Sequence, residues 1–148
     1  NWRPITICSV LRRIIERVFD NRMREFISFN ENQRGFTNSP GTQINTSLLK
    51  SVLDEAKDKK LNATMIFLDI RKAFDSIGHQ HLRNVLATSG IPTSLGNIIY
   101  ALQENNSSQV EANFHKTKYI KINKGLMQGS PLSPQLYNLS TNHIFYEL

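Results

Sequence analysis

The sequence predicts an α+β fold, helix-rich with a small antiparallel sheet, and the order of its apolar patterns indicates this class. Two segments of helical periodicity come first, and then one continuous apolar run of strand length, two further helical segments and a hairpin pattern. This order lacks the regular alternation of strand and helix that a doubly wound sheet requires. The 148 residues are 39% apolar and show no internal repeat, so we expect one globular unit.

The first helix is predicted to begin after Ser9, which can serve as its N-cap. The next apolar residues recur every three or four positions, as on one face of a helix: Val10, Leu11, Ile14, Ile15, Val18, Phe19, Met23, Phe26 and Ile27. The other face carries five arginines among Glu16, Asp20 and Glu25. That face is interpreted as solvated, with ion pairs between residues four positions apart.

The apolar run at residues 63–70 predicts a buried strand with Asp69 near its carboxyl end. A second helix, at 44–60, precedes it after a loop at 30–41. Two helices are predicted next, at 79–89 and 92–103, and then a hairpin at 108–122 that turns at 115–118. A turn-rich loop at 124–134 leads to a last helix from 135.

Composition excludes few classes of partner. The 18 Lys and Arg against 12 Asp and Glu give a formal charge of +6, which favours a polyanion through counterion release but is common among soluble proteins. A single cysteine, Cys8, cannot form an internal disulfide, and no apolar run approaches the roughly 18 residues that span a bilayer. We therefore expect an intracellular protein without a membrane partner. Neither end carries a start or stop signal, so we expect a piece of a longer polypeptide.

Two aspartates are candidates for chemistry. Asp69 ends an apolar strand, where a buried carboxylate costs several kcal/mol unless a cation or a donor compensates it. It is therefore interpreted either as a metal ligand or as a partly exposed strand-end residue. Asp75 precedes Ser76 and a predicted helix, which favours a structural role as a cap.

A second cluster is the loop 125–134, Gly-Leu-Met-Gln-Gly-Ser-Pro-Leu-Ser-Pro, with a helix after it. Gly129 can let backbone approach a ligand closely, and the amides at a helix N-terminus can bind an anion. The alternative interpretation is a tight turn between a strand and a helix.

In this order, the pieces resemble the reverse transcriptase domain of non-long-terminal-repeat retrotransposons, especially those that insert into ribosomal RNA genes. Residues 1–7, Asn-Trp-Arg-Pro-Ile-Thr-Ile, are similar to the first fingers motif, and 33–36, Gln-Arg-Gly-Phe, to the second. Residues 67–75, Phe-Leu-Asp-Ile-Arg-Lys-Ala-Phe-Asp, resemble the first palm motif, and 125–134 the second. The resemblance implies fingers over about 1–62 and palm, with part of the fingers, over about 63–148.

The resemblance implies an RNA-directed DNA polymerase that uses two Mg²⁺ ions, an RNA template, a DNA primer or target and dNTPs, in the nucleus. Asp69 would be the catalytic residue, and Asp69 and the Ile70 carbonyl would be metal ligands. The implied nucleotide-binding residues are Arg3, Arg13, Lys72, Ala73, Phe74, Gln128 and Gly129. Lys116, Lys118, Lys121 and Lys124 would contact nucleic acid, or would form a solvated basic hairpin. Phe74 would exclude a ribose 2′-hydroxyl, or would pack as a core aromatic. The oligomeric state is left open.

The chain departs from the family pattern at two points. Ser130 stands where the family often has Asp, at a position that varies. The Asp-Asp motif that should follow the helix at 135–148 is absent, so we expect these 148 residues alone to be inactive. Two other functions stay open: a group II intron type of reverse transcriptase, and a non-catalytic relic that still binds nucleic acid.

Overall fold

The computed structural model describes residues 6–112 and 114–147. Within them it contains seven helices and four short strands. The helices are α1 (Val10–Arg24), α2 (Thr42–Asp58), α3 (Ala73–Ser76), α4 (His79–Thr88), α5 (Thr93–Glu104), α6 (Ser133–Thr141) and α7 (Ile144–Glu147). The strands are β1 (Ser107–Ser108), β2 (Glu111–Ala112), β3 (His115–Lys116) and β4 (Ile120–Lys121). The predicted class, helix-rich with a small antiparallel sheet, agrees with these elements.

Helix α1 begins where the sequence predicts, because the Ser9 side chain accepts a hydrogen bond from the Arg12 amide at 3.3 Å. Its orientation differs from the prediction. Glu16, assigned to the solvated face, is fully buried, whereas Val10 on the apolar face is 73% exposed. The assignment of Glu16 to a solvated face is therefore wrong, although its ion pair with Arg12, four positions away, is present as expected. Burial of the carboxylate depends on a second partner, Ser130, that residue spacing does not reveal.

The core lies among α4, α5 and α6. Leu82, Ile99 and Leu136, one from each of these helices, are fully buried, and Met23 joins them from α1. Gly96 of α5 faces Leu86 of α4, since a Cβ built on Gly96 would lie 3.9 Å from the Leu86 Cβ. Leu126 and Leu132, in the loop at 124–132, are buried in the same core.

The predicted hairpin is present. Strand β1 pairs antiparallel with β4, and β2 pairs antiparallel with β3 in the register Glu111 opposite Lys116. The turn comes before the predicted 115–118, with Phe114 in the left-handed region at φ 64°. His115 and Lys116 are strand residues, and the Lys116 ammonium lies 3.2 Å from the Glu111 carboxylate.

The predicted buried strand at 63–70 is not formed, and this prediction is wrong for the described structure. The segment has no strand assignment, and Ile66 and Leu68 are each 81% exposed. A strand needs a neighbour for its backbone N–H and C=O groups. The two described sheets are built from residues 107–121 alone, so no described segment provides that neighbour. Helix α2, just before it, also has no buried residue.

None of the helices in the part of the chain that the structure describes is both long and apolar enough to cross a bilayer.

Candidate functional site

The two motif segments that resemble palm sequences lie side by side. The Leu126 amide donates to the Phe74 carbonyl at 2.9 Å, and the Gly125 amide donates to the Ile77 carbonyl at 2.8 Å. Gly78 and Lys124 extend this pairing as an antiparallel bridge. Gly125, at φ +99°, allows the close approach, because a Cβ built there would lie 3.2 Å from the Asp75 Cα. Residues 74–78 and 124–128 therefore form one paired unit.

Asp75 holds the side chain of Gln128 rather than a helix end. The Gln128 Nε2 group donates to the Asp75 Oδ1 atom at 3.0 Å. Asp75 lies inside α3, and the N-cap of α4 is Gly78, which has no side chain to cap with. The predicted capping role is therefore wrong. Because the carboxylate accepts from Nε2, the Oε1 atom of Gln128 is left to accept a hydrogen bond from a ligand.

Gly129 is required by a close approach, but the approaching group belongs to the chain itself. The Thr6 amide donates to the Gln128 carbonyl at 2.7 Å, and a Cβ built on Gly129 would collide with the Thr6 carbonyl oxygen. Gly129 also has φ +115°, a conformation that favours glycine. The residue thus locks the segment at Thr6 onto the loop, and its contact with a nucleotide stays a prediction.

Phe74 is the centre of an aromatic cluster. Its ring stacks on Tyr137 of α6 at 5.1 Å between centroids, and the edge of Phe36 meets it at 6.1 Å. Burial raises the pKa of the Tyr137 phenol above its ordinary value. The Asn138 amide group donates to the Gly35 carbonyl at 2.6 Å and attaches the 33–36 motif to the same helix. Three of the four sequence motifs therefore meet at one half-buried phenylalanine.

Asp69 and Ile70 lie apart from this paired unit, in the exposed segment 63–70. Lys72 follows with left-handed φ 53°, and Ala73 begins α3. Asp69 is one carboxylate, and residues 6–112 and 114–147 contain no group of three or more His, Cys, Asp or Glu placed to hold a metal ion. The role of Asp69 and Ile70 as metal ligands stays a prediction.

The adjacent arginines of α1 have different environments. Arg12 points inward, where its guanidinium bonds to Glu16 at 2.7 Å, to Asn106 Oδ1 at 3.2 Å and to the Leu102 carbonyl at 2.9 Å. Arg13 is exposed and lines a shallow cavity of about 260 Å³. The other residues around that cavity are Val10, Ile14, Arg17 and Pro131. Of Arg12 and Arg13, only Arg13 is therefore available to a nucleic acid. Arg3, the other arginine predicted to bind a nucleotide, lies outside the described residues.

Comparison with known proteins decides the family. Residues 1–148 match the family described as reverse transcriptase (RNA-dependent DNA polymerase). The chain belongs to this reverse transcriptase family. It is 30% identical to the Retrovirus-related Pol polyprotein from type-1 retrotransposable element R2 of Popillia japonica, covering 100% of this chain and 21% of that protein.

Other relatives agree with this family. The R2 polyprotein of Nasonia vitripennis is 34% identical over 93% of this chain and 13% of its own length. The RNA-directed DNA polymerase from mobile element jockey of Drosophila funebris is 30% identical over 95% of this chain and 16% of its own length. The chain spans about a fifth or less of the reverse transcriptase relatives it matches.

The lysines of this reverse transcriptase chain are all exposed, as the sequence predicts, but they are not equivalent. Lys116 is paired with Glu111, so part of its charge is already compensated. Lys118 and Lys121 lie before and within β4, and Lys124 forms the bridge with Gly78. Their contact with nucleic acid stays a prediction.

Sequence reasoning missed two site features, the Asp75–Gln128 bond and the buried Glu16. Gln128 is 53 positions from Asp75, and Ser130 is 114 positions from Glu16, so no local pattern links these partners. The one local signal was the spacing of Arg12 and Glu16, four positions apart on the helix, which predicts their ion pair.

Proposed function

We propose that this chain is the part of an RNA-directed DNA polymerase that holds the incoming dNTP beside the first catalytic aspartate. The observation that carries the proposal is the pairing of residues 74–78 with 124–128. This pairing holds Phe74 and the orientated amide of Gln128 on neighbouring segments, and Phe74 follows Asp69 by five positions in the chain. An orientated acceptor and an aromatic ring on rigid backbone suit recognition of a sugar and its base.

In this proposal residues from about 1 to 62 contribute fingers, and residues from about 63 to 148 contribute palm with part of the fingers, as in the right-hand polymerases. Asp69 and the Ile70 carbonyl would hold Mg²⁺, with further carboxylates from elsewhere in the polypeptide. When bound, two Mg²⁺ ions neutralise the triphosphate and activate the primer hydroxyl. The left-handed Lys72 followed by the helical Ala73 turns successive backbone amides to one side, an arrangement that favours a phosphate.

Template and primer would lie along the basic surface of the chain. Arg13 is exposed beside apolar Ile14 and Pro131, which offers a charge for phosphate and a surface for a base. The lysines of the hairpin and its flanks would add contacts to the backbone of the nucleic acid, in keeping with the +6 charge. We further propose that the polymerase serves a non-long-terminal-repeat retrotransposon and acts in the nucleus.

The test is a chimera in which this chain replaces the matching residues of the Nasonia vitripennis R2 polyprotein. Primer extension on an RNA template should fall about 1,000-fold or more in the Asp69→Asn chimera, which corresponds to roughly 4 kcal/mol of transition-state stabilisation. Asp58→Asn, the same change at an exposed site on α2, is the matched control and should leave extension unchanged.

The 148-residue chain alone, assayed beside the chimera, should extend no primer, because one carboxylate cannot hold two metal ions against water. An active unsubstituted chimera whose Asp69→Asn variant keeps most of its activity would refute the assignment of Asp69. Extension by the isolated chain would refute the dependence on carboxylates from elsewhere in the polypeptide.

A further inference from the structure

Glu16 is a fully buried carboxylate with partners on both oxygens. Oε1 accepts from the Arg12 Nε group at 2.7 Å, and Oε2 accepts from the Ser130 hydroxyl at 2.6 Å. Arg12 in turn bonds to Asn106 and to the carbonyl of Leu102, at the end of α5. One buried anion thus connects α1, the end of α5 and the loop that precedes α6.

Ser130 is suited to this anion because it both donates and accepts. Its hydroxyl donates to Glu16 and accepts from the Leu132 amide at 3.2 Å. The residue lies directly after Gln128 and Gly129 and is itself buried. An acid at position 130 would face the Glu16 carboxylate in a buried site, where two like charges destabilise each other strongly.

We infer that Glu16 is a positioning residue of the polymerase site, and that Glu16 and Ser130 are a matched pair. The pair fixes the position at which the loop 124–132 contacts α1. It thereby fixes where Gln128 and Gly129 lie relative to the segment that contains Phe74. The link to nucleotide binding rests on the proposed function, but the matching of the two residues does not. Replacing one member with a different charge should therefore be tolerated only when the other member changes with it.

The experiment is a thermal double-mutant cycle on the 148-residue chain. Ser130→Asp alone should lower the Tm by about 6 °C or more, as expected for a second buried carboxylate. Glu16→Gln can donate to the new acid through Nε2 and accept from Arg12 through Oε1. The double variant Glu16→Gln, Ser130→Asp should therefore have a higher Tm than Ser130→Asp, recovering at least about half of the loss.

Ser94→Asp supplies the matched control, since Ser94 is an exposed serine in the first turn of α5. It should leave the Tm nearly unchanged, and its effect should simply add to that of Glu16→Gln. If Ser130→Asp cannot fold, folding of the double variant still supports the pair. A double variant no more stable than Ser130→Asp, or a Ser130→Asp variant as stable as Ser94→Asp, would overturn it.

Amide hydrogen exchange separates positioning from general stability. In Ser130→Asp, exchange should accelerate at least about fivefold more at Thr6 and Leu126, whose amides bond across the loop, than at Leu86 and Ile99 in the core helices. The double variant should reverse this difference. Equal acceleration at all four amides would mean that Glu16 stabilises the fold without positioning the loop. If the thermal double-mutant cycle gives the expected result but the unsubstituted chimera extends no primer, the proposed function fails and the matching of Glu16 and Ser130 stands.

Discussion

The paired segments 74–78 and 124–132, together with α4, α5 and α6, contrast with α2 and the segment 61–70. In the first region, Leu82 and Leu136 are fully buried, and the backbone of the two motif segments is held by hydrogen bonds. In the second region no residue of α2 is buried and Leu68 is 81% exposed. Contacts within the chain therefore position Gln128 and Phe74, whereas the described residues give the Asp69 side chain no comparable hydrogen bond.

Core truncation gives the largest expected difference between the regions. Leu136→Ala should lower the free energy of unfolding by about 3 kcal/mol, because it leaves a cavity among α4, α5 and α6. Leu68→Ala, the same change in the exposed segment, should lower it by less than about 0.5 kcal/mol. Urea denaturation followed by circular dichroism measures both. A comparable loss at Leu68 would mean that 63–70 is packed in solution, and the contrast would disappear.

A smaller effect is expected where Gly129 meets Thr6. Gly129→Ala should cost about 2 kcal/mol or more, because the new methyl group collides with the Thr6 carbonyl and the backbone has positive φ. Gly78→Ala is the matched control, since a Cβ there meets nothing within 4 Å and φ is −73°. The control should cost less than about 1 kcal/mol, because Ala is a poorer N-cap for α4 than Gly. Equal costs in denaturant would show that Thr6 does not lie against the loop.

Substitution of Phe74 is expected to change a free energy least among these test variants. The residue tests the contrast between the two regions, because it lies in the packed region but belongs to the motif that contains Asp69. As a gate, its ring would clash with a ribose 2′-hydroxyl. In the polymerase chimera, Phe74→Val should raise rNTP use relative to dNTP use by about tenfold, or roughly 1.4 kcal/mol. The ratio of kcat/KM values in primer extension measures it.

Tyr137→Leu removes the stacking partner of Phe74 and is the control for packing. It should lower the Tm without raising rNTP use to the same extent. If Phe74→Val instead loses both substrates equally and melts earlier, the ring is a core aromatic and the gate interpretation fails.

Helices were predictable from the sequence where periodicity and caps agree. Ser9 marked the start of α1, and Gly90 marked the division between α4 and α5. The prediction of a strand at 63–70 was wrong, because an apolar run indicates a preference for burial and does not indicate that a neighbouring strand is present.

The candidate site was less predictable than the helices. The motifs indicated which segments matter, but the bond from Gln128 to Asp75 joins residues 53 positions apart, and the capping role given to Asp75 followed only from its neighbours. Glu16 was misplaced for a similar reason. Periodicity assigns a charge to the surface, and the neighbouring Arg12 agrees with that assignment, while burial of the carboxylate depends on a donor, Ser130, that only the tertiary structure supplies.

The exposed segment at 63–70 also affects how the molecule behaves in concentrated solution. Ile66, Phe67 and Leu68 are apolar, β-prone and without a neighbouring strand in the described structure, and their backbone groups are open to any similar segment. Another copy of the same chain offers such a segment. We therefore expect this stretch to limit colloidal stability rather than folding, and we expect the basic charge of the chain to oppose self-assembly mainly at low salt.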